Sequence, residues 1–155
     1  MLLKCRLNGE NVQIECNEGD RLRDLLYKHG CVSVRDSDDA EGFAGSDTII
    51  FNGILRYSNL ILAFQAQGAE IRTAEGLLRG RELNFVQKAM VSAGVVQSAY
   101  NAPAAALMLT WLLEKKPYPT KDEIRDVLTS IFIRDAGYEH YYLAVKLATE
   151  LRDYG

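Results

Sequence analysis

The sequence predicts an α+β chain, with a small mixed β-sheet unit over residues 1–77 followed by a four-helix bundle over residues 78–155. Apolar and polar residues alternate on either side of Asn8-Gly9 and again around Asn52-Gly53. Asn-Gly readily takes the positive φ angles of a two-residue turn, so each site reads as a hairpin. After Gly80 the apolar spacing changes from every second residue to about every 3.6, the period of an amphipathic helix. Gly76, Gly80 and the three arginines Arg72, Arg79 and Arg81 flank that change.

Taken in order, residues 1–16 form two strands, which puts Cys5 and Cys16 on the sheet. Asp20 is positioned to cap a helix carrying Leu22, Leu25 and Leu26 on one face, and Gly30 to end it in a left-handed conformation. From Cys31 to Ser46 the periodicity is lost. Gly42 and Gly45 lie among Asp36, Asp38, Asp39 and Glu41, the composition of an irregular surface loop. Thr48 to Phe51 resumes as a strand, Asn52-Gly53 turns into a second around Ile54 to Tyr57, a helix is expected from about Ser58 to Gln67, and Glu70 to Thr73 supplies a last strand. Hairpin, crossing helix, loop and further strands make a unit of the β-grasp kind. In the second half, Leu83, Val86, Met90 and Ala93 mark one helix and Pro103 opens another through Trp111 and Leu113. Thr120 with Glu123 makes a capping box for a third, and Tyr141, Ala144, Val145 and Ala148 stripe a fourth.

The chain has 155 residues, 48% of them hydrophobic, enough to bury a core in one domain or two small ones. Eighteen basic and twenty-one acidic residues, with neither sign gathered into a block, leave no electrostatic footprint for nucleic acid or an anionic membrane. Leu2-Leu3-Lys4 is too short an apolar run for a signal peptide, and the run from Ala102 to Leu113 is broken by Pro103 and Thr110. A cytoplasmic protein is expected. Cys5, Cys16 and Cys31 are widely and irregularly spaced, which suits reduced thiols better than disulfides or a metal site. His29 and His140 are far apart and neither has a nucleophile context, so no hydrolase constellation is visible, and no glycine-rich phosphate loop follows a strand.

Several strings resemble the small iron–sulfur subunit of the molybdenum hydroxylases, the family of xanthine dehydrogenase, aldehyde oxidase and aerobic CO dehydrogenase. They are Leu7-Asn8-Gly9-Glu10 at the first turn, Gln65 through Leu77 (QAQGAEIRTAEGL) at the domain junction, and Pro119 through Ala148 over the last two helices. The resemblance implies a ferredoxin-like N-terminal domain and a helical C-terminal domain, each built around a [2Fe-2S] cluster. Plant-type clusters use a C-x4-C-x2-C loop with a fourth cysteine further on. Laying Ala44-Gly45-Ser46-Asp47-Thr48 on the family's loop puts the first set of ligand positions at Asp39, Ala44, Asp47 and Asn59. The second set, a C-x2-C pair and a C-x-C pair, falls at Ser98 and Asn101 before Pro103, and at Ile133 and Asp135 before Gly137-Tyr138. None of these vestigial positions is a cysteine. Because iron in such clusters is held by soft thiolates, the residues lead to the expectation of no cluster and no cofactor of the chain's own, with FAD and molybdopterin confined to partner subunits.

Asp39, Asp47 and Asn59 are oxygen donors of a kind that Ca2+ or Mg2+ accepts. Three are too few for a tight Ca2+ site, and Asp and Asn are ordinary turn residues, so a solvated or internally hydrogen-bonded loop is expected and no metal site. Gln97 matches a glutamine that in this family contacts the pterin of the molybdenum cofactor, so the resemblance implies a pterin contact there; a polar residue at a helix end making local hydrogen bonds reads the same way. The expected function is a non-catalytic structural or assembly subunit of a molybdenum-hydroxylase-like oxidoreductase, bound to flavin-binding or molybdopterin-binding subunits. The alternative is a free-standing binding or regulatory module on the same fold.

Overall fold

The computed structural model describes residues 1–36, 44–133 and 136–155, and the chain divides into two compact units, Met1–Gly76 and Leu77–Gly155. In the first unit β1 (Leu2–Leu7), β2 (Glu10–Glu15), β3 (Thr48–Phe51), β4 (Ile54–Tyr57) and β5 (Glu70–Arg72) form one sheet of order β2-β1-β5-β3-β4. β1 pairs antiparallel with β2, from Leu2 opposite Glu15 to Leu7 opposite Glu10, and parallel with β5; β3 runs antiparallel to both β4 and β5. Both hairpins close as expected, with positive φ at Asn8 (50°) and Gly9 (89°) and at Asn52 (49°) and Gly53 (80°).

Alternation on β1 sends Leu3, Cys5 and Leu7 inward. They join Leu22, Leu25 and Leu26 of α1 (Leu22–Lys28), Ile49, Ile71, Ala63 and Ala66 in one core. Each fully buried leucine there is worth about 1.5–3 kcal/mol relative to exposure. Gly30, at φ 99°, follows the C-cap residue His29 and ends α1 in the expected left-handed conformation.

Two local expectations are corrected by one tertiary feature. Asp20 does not cap α1: the N-cap residue is Arg21, no side chain caps the helix, and the Asp20 carboxylate accepts the Asn17 N–H at 2.9 Å. Nor does a helix span Ser58 to Gln67. Two single 3₁₀ turns, Ser58–Leu60 and Ala63–Ala66, flank extended backbone at Ile61 and Leu62. An antiparallel bridge between Arg21 and Leu62 links the two places: the Leu22 N–H donates to the Ile61 carbonyl and the Ala63 N–H to the Asp20 carbonyl, both at 2.8 Å. Backbone held extended for that bridge can neither continue a helix through 61–62 nor present Asp20 as a cap.

The second unit contains α2 (Phe85–Ser92), α3 (Ala102–Lys115), α4 (Lys121–Leu128) and α5 (Tyr138–Tyr154). Capping boxes open α2 (Asn84 with Gln87) and α4 (Thr120 with Glu123), and proline lies in the first turn of α3. Alanines 104–106 with Leu107, Met108 and Leu109 leave α3 buried on almost every side, the mark of a helix interior to its unit. Val86, Ala89 and Met90, Ile124 and Leu128, and Tyr141, Ala144, Val145 and Ala148 are the buried faces of its neighbours. Leu83, expected on the first stripe, lies ahead of α2 and is 41% exposed. Among the described residues no helix is long and apolar enough to cross a membrane.

Candidate functional site

The described positions of the first ligand set lie just ahead of β3 and just after β4. Gly45, at φ 72°, turns the chain, and its carbonyl accepts both the Thr48 N–H (3.2 Å) and the Thr48 hydroxyl (2.7 Å). The turn directs Asp47 inward, where it is 1% exposed. Its Oδ2 accepts the Asn59 N–H at 2.8 Å, and its backbone carbonyl accepts the Ser58 N–H (3.2 Å) and hydroxyl (2.7 Å). Asn59, 5% exposed, donates Nδ2–H to Asp36 Oδ1 at 2.9 Å, and its own Oδ1 is buried with no hydrogen-bond partner. Asp36 in turn lies 3.8 Å from the Arg23 guanidinium. Ala44 is half-buried and carries no donor atom, and Asp39 lies outside the described residues.

Burial pushes the Asp47 carboxyl above its ordinary value, the Asn59 and Asp47 backbone N–H groups pull it down, the Asp36 charge pushes it up and Arg23 pulls it down; the balance is upward. A carboxyl whose pKa is raised on folding stabilises the fold most below its unfolded pKa, and that contribution is lost as pH rises through the folded value. Asp47→Asn keeps an acceptor for the Asn59 N–H without the buried charge. It is therefore expected to be at least as stable as the native chain at pH 7, while Asp47→Ala is destabilised by about 1–3 kcal/mol through the orphaned N–H. Urea unfolding of both variants checks this, and a large loss in Asp47→Asn at pH 7 would refute it.

The second set lies at the start of α3. Ser98 Oγ accepts the N–H groups of Tyr100 (3.3 Å) and Asn101 (3.4 Å), while the Ser98 and Asn101 carbonyls accept Ala102 N–H and Ala105 N–H, both at 3.0 Å. Asn101, 8% exposed, donates Nδ2–H to the Phe132 carbonyl at 3.0 Å, across 31 residues of sequence. Ile133, half-buried, follows directly, and its N–H bonds Ile131 O at 3.0 Å. Asp135 lies outside the described residues. The fold thus brings Asp47 to Asn59, and Ser98 and Asn101 to the segment that holds Ile133. Gln97 is exposed and donates Nε2–H to the Gly94 carbonyl at 3.1 Å, a local helix-end bond.

Among the described residues no three His, Cys, Asp or Glu side chains converge as a metal site. The Asp47 and Asp36 oxygens that would serve a hard cation are already accepting amide hydrogens. Cys5 and Cys31 are buried, and burial raises both thiols; for Cys31 a hydrogen bond with Thr73 lowers it, and Glu75 and Cys5 raise it further. Protonated and enclosed, they are packing residues.

Sequence reasoning passed over a half-buried polar network. Glu75 Oε1 accepts the Ser33 N–H (2.7 Å), and its Oε2 accepts the hydroxyls of Ser33 and Thr73, both at 2.6 Å. Asn8 Oδ1 accepts the Thr73 N–H at 2.8 Å while Asn8 Nδ2–H donates to Thr73 Oγ1 at 3.0 Å. The first turn and the junction segment are therefore tied to each other, and the only sign of it in the sequence was that both carried the family resemblance.

A mixed sheet of this strand order with a helix packed on it, followed by a bundle whose 98–101 and 131–133 segments meet, is the domain pair that the resemblance to molybdenum-hydroxylase iron–sulfur subunits implies. Comparison with known proteins agrees. A family profile described as "[2Fe-2S] binding domain" matches residues 73–146. The "Nicotinate dehydrogenase small FeS subunit" of Eubacterium barkeri is 35% identical over 149 residues, 96% of this chain and 94% of the relative. "Probable hypoxanthine oxidase XdhD" of Escherichia coli K12 is 49% identical over 148 residues, but the chain spans only 16% of that relative's length. The crystal structure of quinoline 2-oxidoreductase from Pseudomonas putida 86 contains a chain that superposes at a TM-score of 0.91 with 28% identity, covering 100% of this chain and 97% of that one. The chain belongs to the family of small iron–sulfur subunits of xanthine dehydrogenase-type oxidoreductases.

That membership corrects the expectation of no cofactor. The matching profile is that of a [2Fe-2S] binding domain and the relatives include named FeS subunits, so the affiliation points to an iron–sulfur group. The expectation rested on the ligand positions alone, whereas the match is carried by the fold and by the residues between them. The donors at the described positions do not fit a plant-type cluster: Ala44, Asp47, Asn59, Ser98, Asn101 and Ile133 carry no thiol, and Cys5 and Cys31 are enclosed elsewhere.

Proposed function

We propose that the chain is a non-catalytic assembly subunit of a molybdenum-hydroxylase-like oxidoreductase, cytoplasmic, and bound to flavin-binding or molybdopterin-binding subunits. One observation carries this: the small-subunit fold and family character run nearly the length of the chain, as they do in relatives that are themselves small subunits. A subunit of that kind contributes surface. Ile54 and Leu60, 53% and 62% exposed, line a groove with Phe51 and Ile61, edged by Asn52, Arg56 and Gln65, on the first unit, a surface with apolar residues of the kind that partners cover.

Affinity purification of the tagged chain at native expression, with mass spectrometry of what accompanies it, tests the reading. Recovery with a flavin or molybdopterin subunit is expected, through an interface of more than about 1,000 Å². Leu60→Glu is expected to reduce that recovery without unfolding the chain, because the side chain is exposed. Within such a complex, Gln97→Ala tests the pterin contact. Recovery alone, as a monomer, overturns the reading in favour of a free-standing binding module.

A further inference from the structure

We infer that the residues at four of the ligand positions the resemblance assigns are polar cross-links, Asp47 with Asn59, and Ser98 with Asn101 and on to Phe132, which tie the described segments together through their own hydrogen bonds. The inference rests on the ligand positions that the resemblance assigns, not on the assembly reading, and its failure leaves that reading standing.

A cluster site needs ligand positions from distant segments to converge, and this chain keeps the convergence among its described positions. Asp47 and Asn59 are 12 residues apart and meet through the Asp47 carboxylate and the Asn59 N–H. Asn59 then uses its side chain to reach Asp36, 23 residues earlier, so one residue in the turn after β4 is bonded to both Asp47 and Asp36. At the second set Ser98 and Asn101 bond within one turn, and the Asn101 amide crosses to the Phe132 carbonyl, next to Ile133. The segments joined, 98–101 and 131–133, carry Ser98, Asn101 and Ile133, the described positions of the second ligand set that the resemblance implies.

Burial gives these bonds their weight. Asp47, Asn59 and Asn101 are 1%, 5% and 8% exposed, so a donor or acceptor released from its partner finds no water without the loop opening. A neutral amide suits the task at position 101: it offers a donor to a carbonyl while its backbone carbonyl serves the first turn of α3. An aspartate of the same shape offers no donor and sets a charge against that carbonyl.

Hydrogen exchange on the purified full chain, followed by mass spectrometry of peptides covering 129–133 and 98–102 and of the one containing Asn59, tests this without a partner. Asn101→Ala and the near-isosteric Asn101→Asp are each expected to speed exchange of the 129–133 peptide at least about ten-fold, with α5 unchanged. Asp47→Ala is expected to do the same for the peptide containing Asn59. Ser92→Ala, which removes an exposed hydroxyl bonded to the Lys88 carbonyl, is the control and is expected to change neither. If Asn101→Ala does not fold, Asn101→Asp and Asp47→Ala carry the test. Unchanged protection of the 129–133 peptide in the Asn101 variants, or of the Asn59 peptide in Asp47→Ala, overturns the inference, as does uniform acceleration throughout the chain.

Discussion

Glu75→Ala is expected to destabilise the Met1–Gly76 unit by about 3 kcal/mol, the largest effect expected of any polar substitution here. Its carboxylate is the common acceptor for the Ser33 N–H, the Ser33 hydroxyl and the Thr73 hydroxyl, and Thr73 is itself held by Asn8. Truncation leaves those part-buried donors without their acceptor, whereas Glu75→Gln keeps one acceptor oxygen and should cost roughly half as much. Burial pushes the Glu75 carboxyl up, but the hydrogen bonds from Ser33, Thr73 and the Ser33 and Glu75 backbone N–H groups together outweigh it and hold the group below its ordinary value. A carboxyl depressed on folding contributes stability that is present above its unfolded pKa and is lost as pH falls through the folded value. The native chain should therefore weaken on acidification below the ordinary glutamate range, and Glu75→Gln should flatten that limb. Urea midpoints measured at stepped pH decide it: an unchanged midpoint in Glu75→Ala, or an unchanged acid limb in Glu75→Gln, contradicts the role assigned to the network.

Gly76→Ala is expected to cost roughly 1–3 kcal/mol, as an overpacked site does. Gly76 does not have a positive φ, so the reason is space alone. A Cβ there would fall well inside van der Waals contact of Asn8 Oδ1 and 2.8 Å from its Cγ. Asn8 cannot yield cheaply, because its backbone is committed to the hairpin turn and both ends of its amide are bonded to Thr73. An Asn8→Gly/Gly76→Ala double variant removes the clash, so its loss should be clearly less than the sum of the single losses. Strict additivity by denaturant unfolding would show that the two residues do not meet as described.

These two predictions also change the meaning of the junction string. Read as a docking surface from its family character, the string is accounted for in large part by internal bonds. Gln67 Oε1 accepts the Lys4 N–H at 3.0 Å, Gly68 at φ 73° donates its N–H to the Lys4 carbonyl, and Thr73, Glu75 and Gly76 all answer to Asn8 or Ser33. The case for an interface therefore shifts from the junction to exposed apolar residues such as Ile54 and Leu60.

Where an interaction closes within about four residues, the sequence by itself determined the outcome. Asn-Gly at 8–9 and 52–53 tolerates positive φ, Thr120 with Glu123 caps α4 through bonds three residues apart, and the 3.6-residue stripe of Tyr141, Ala144, Val145 and Ala148 is buried as read. The absence of thiols at the ligand positions was equally legible, as was the family through its turn, junction and C-terminal strings; the step from missing thiols to no cofactor is what failed, because the family match is carried by the residues between those positions. Only the tertiary structure decided that 58–67 breaks into two 3₁₀ turns and that Asp20 is no cap, since a bridge from Arg21 to Leu62 sets both backbones. It also decided that Asp47 meets Asn59, that Asn101 reaches Phe132, and that Asn8 and Thr73 bond across 65 residues. The physical reason is one of range: a hydrogen bond within a turn is available to the chain wherever that turn forms, whereas one between distant segments exists only after β1 has paired with β5 and the helices have packed, and its worth depends on the burial that packing creates.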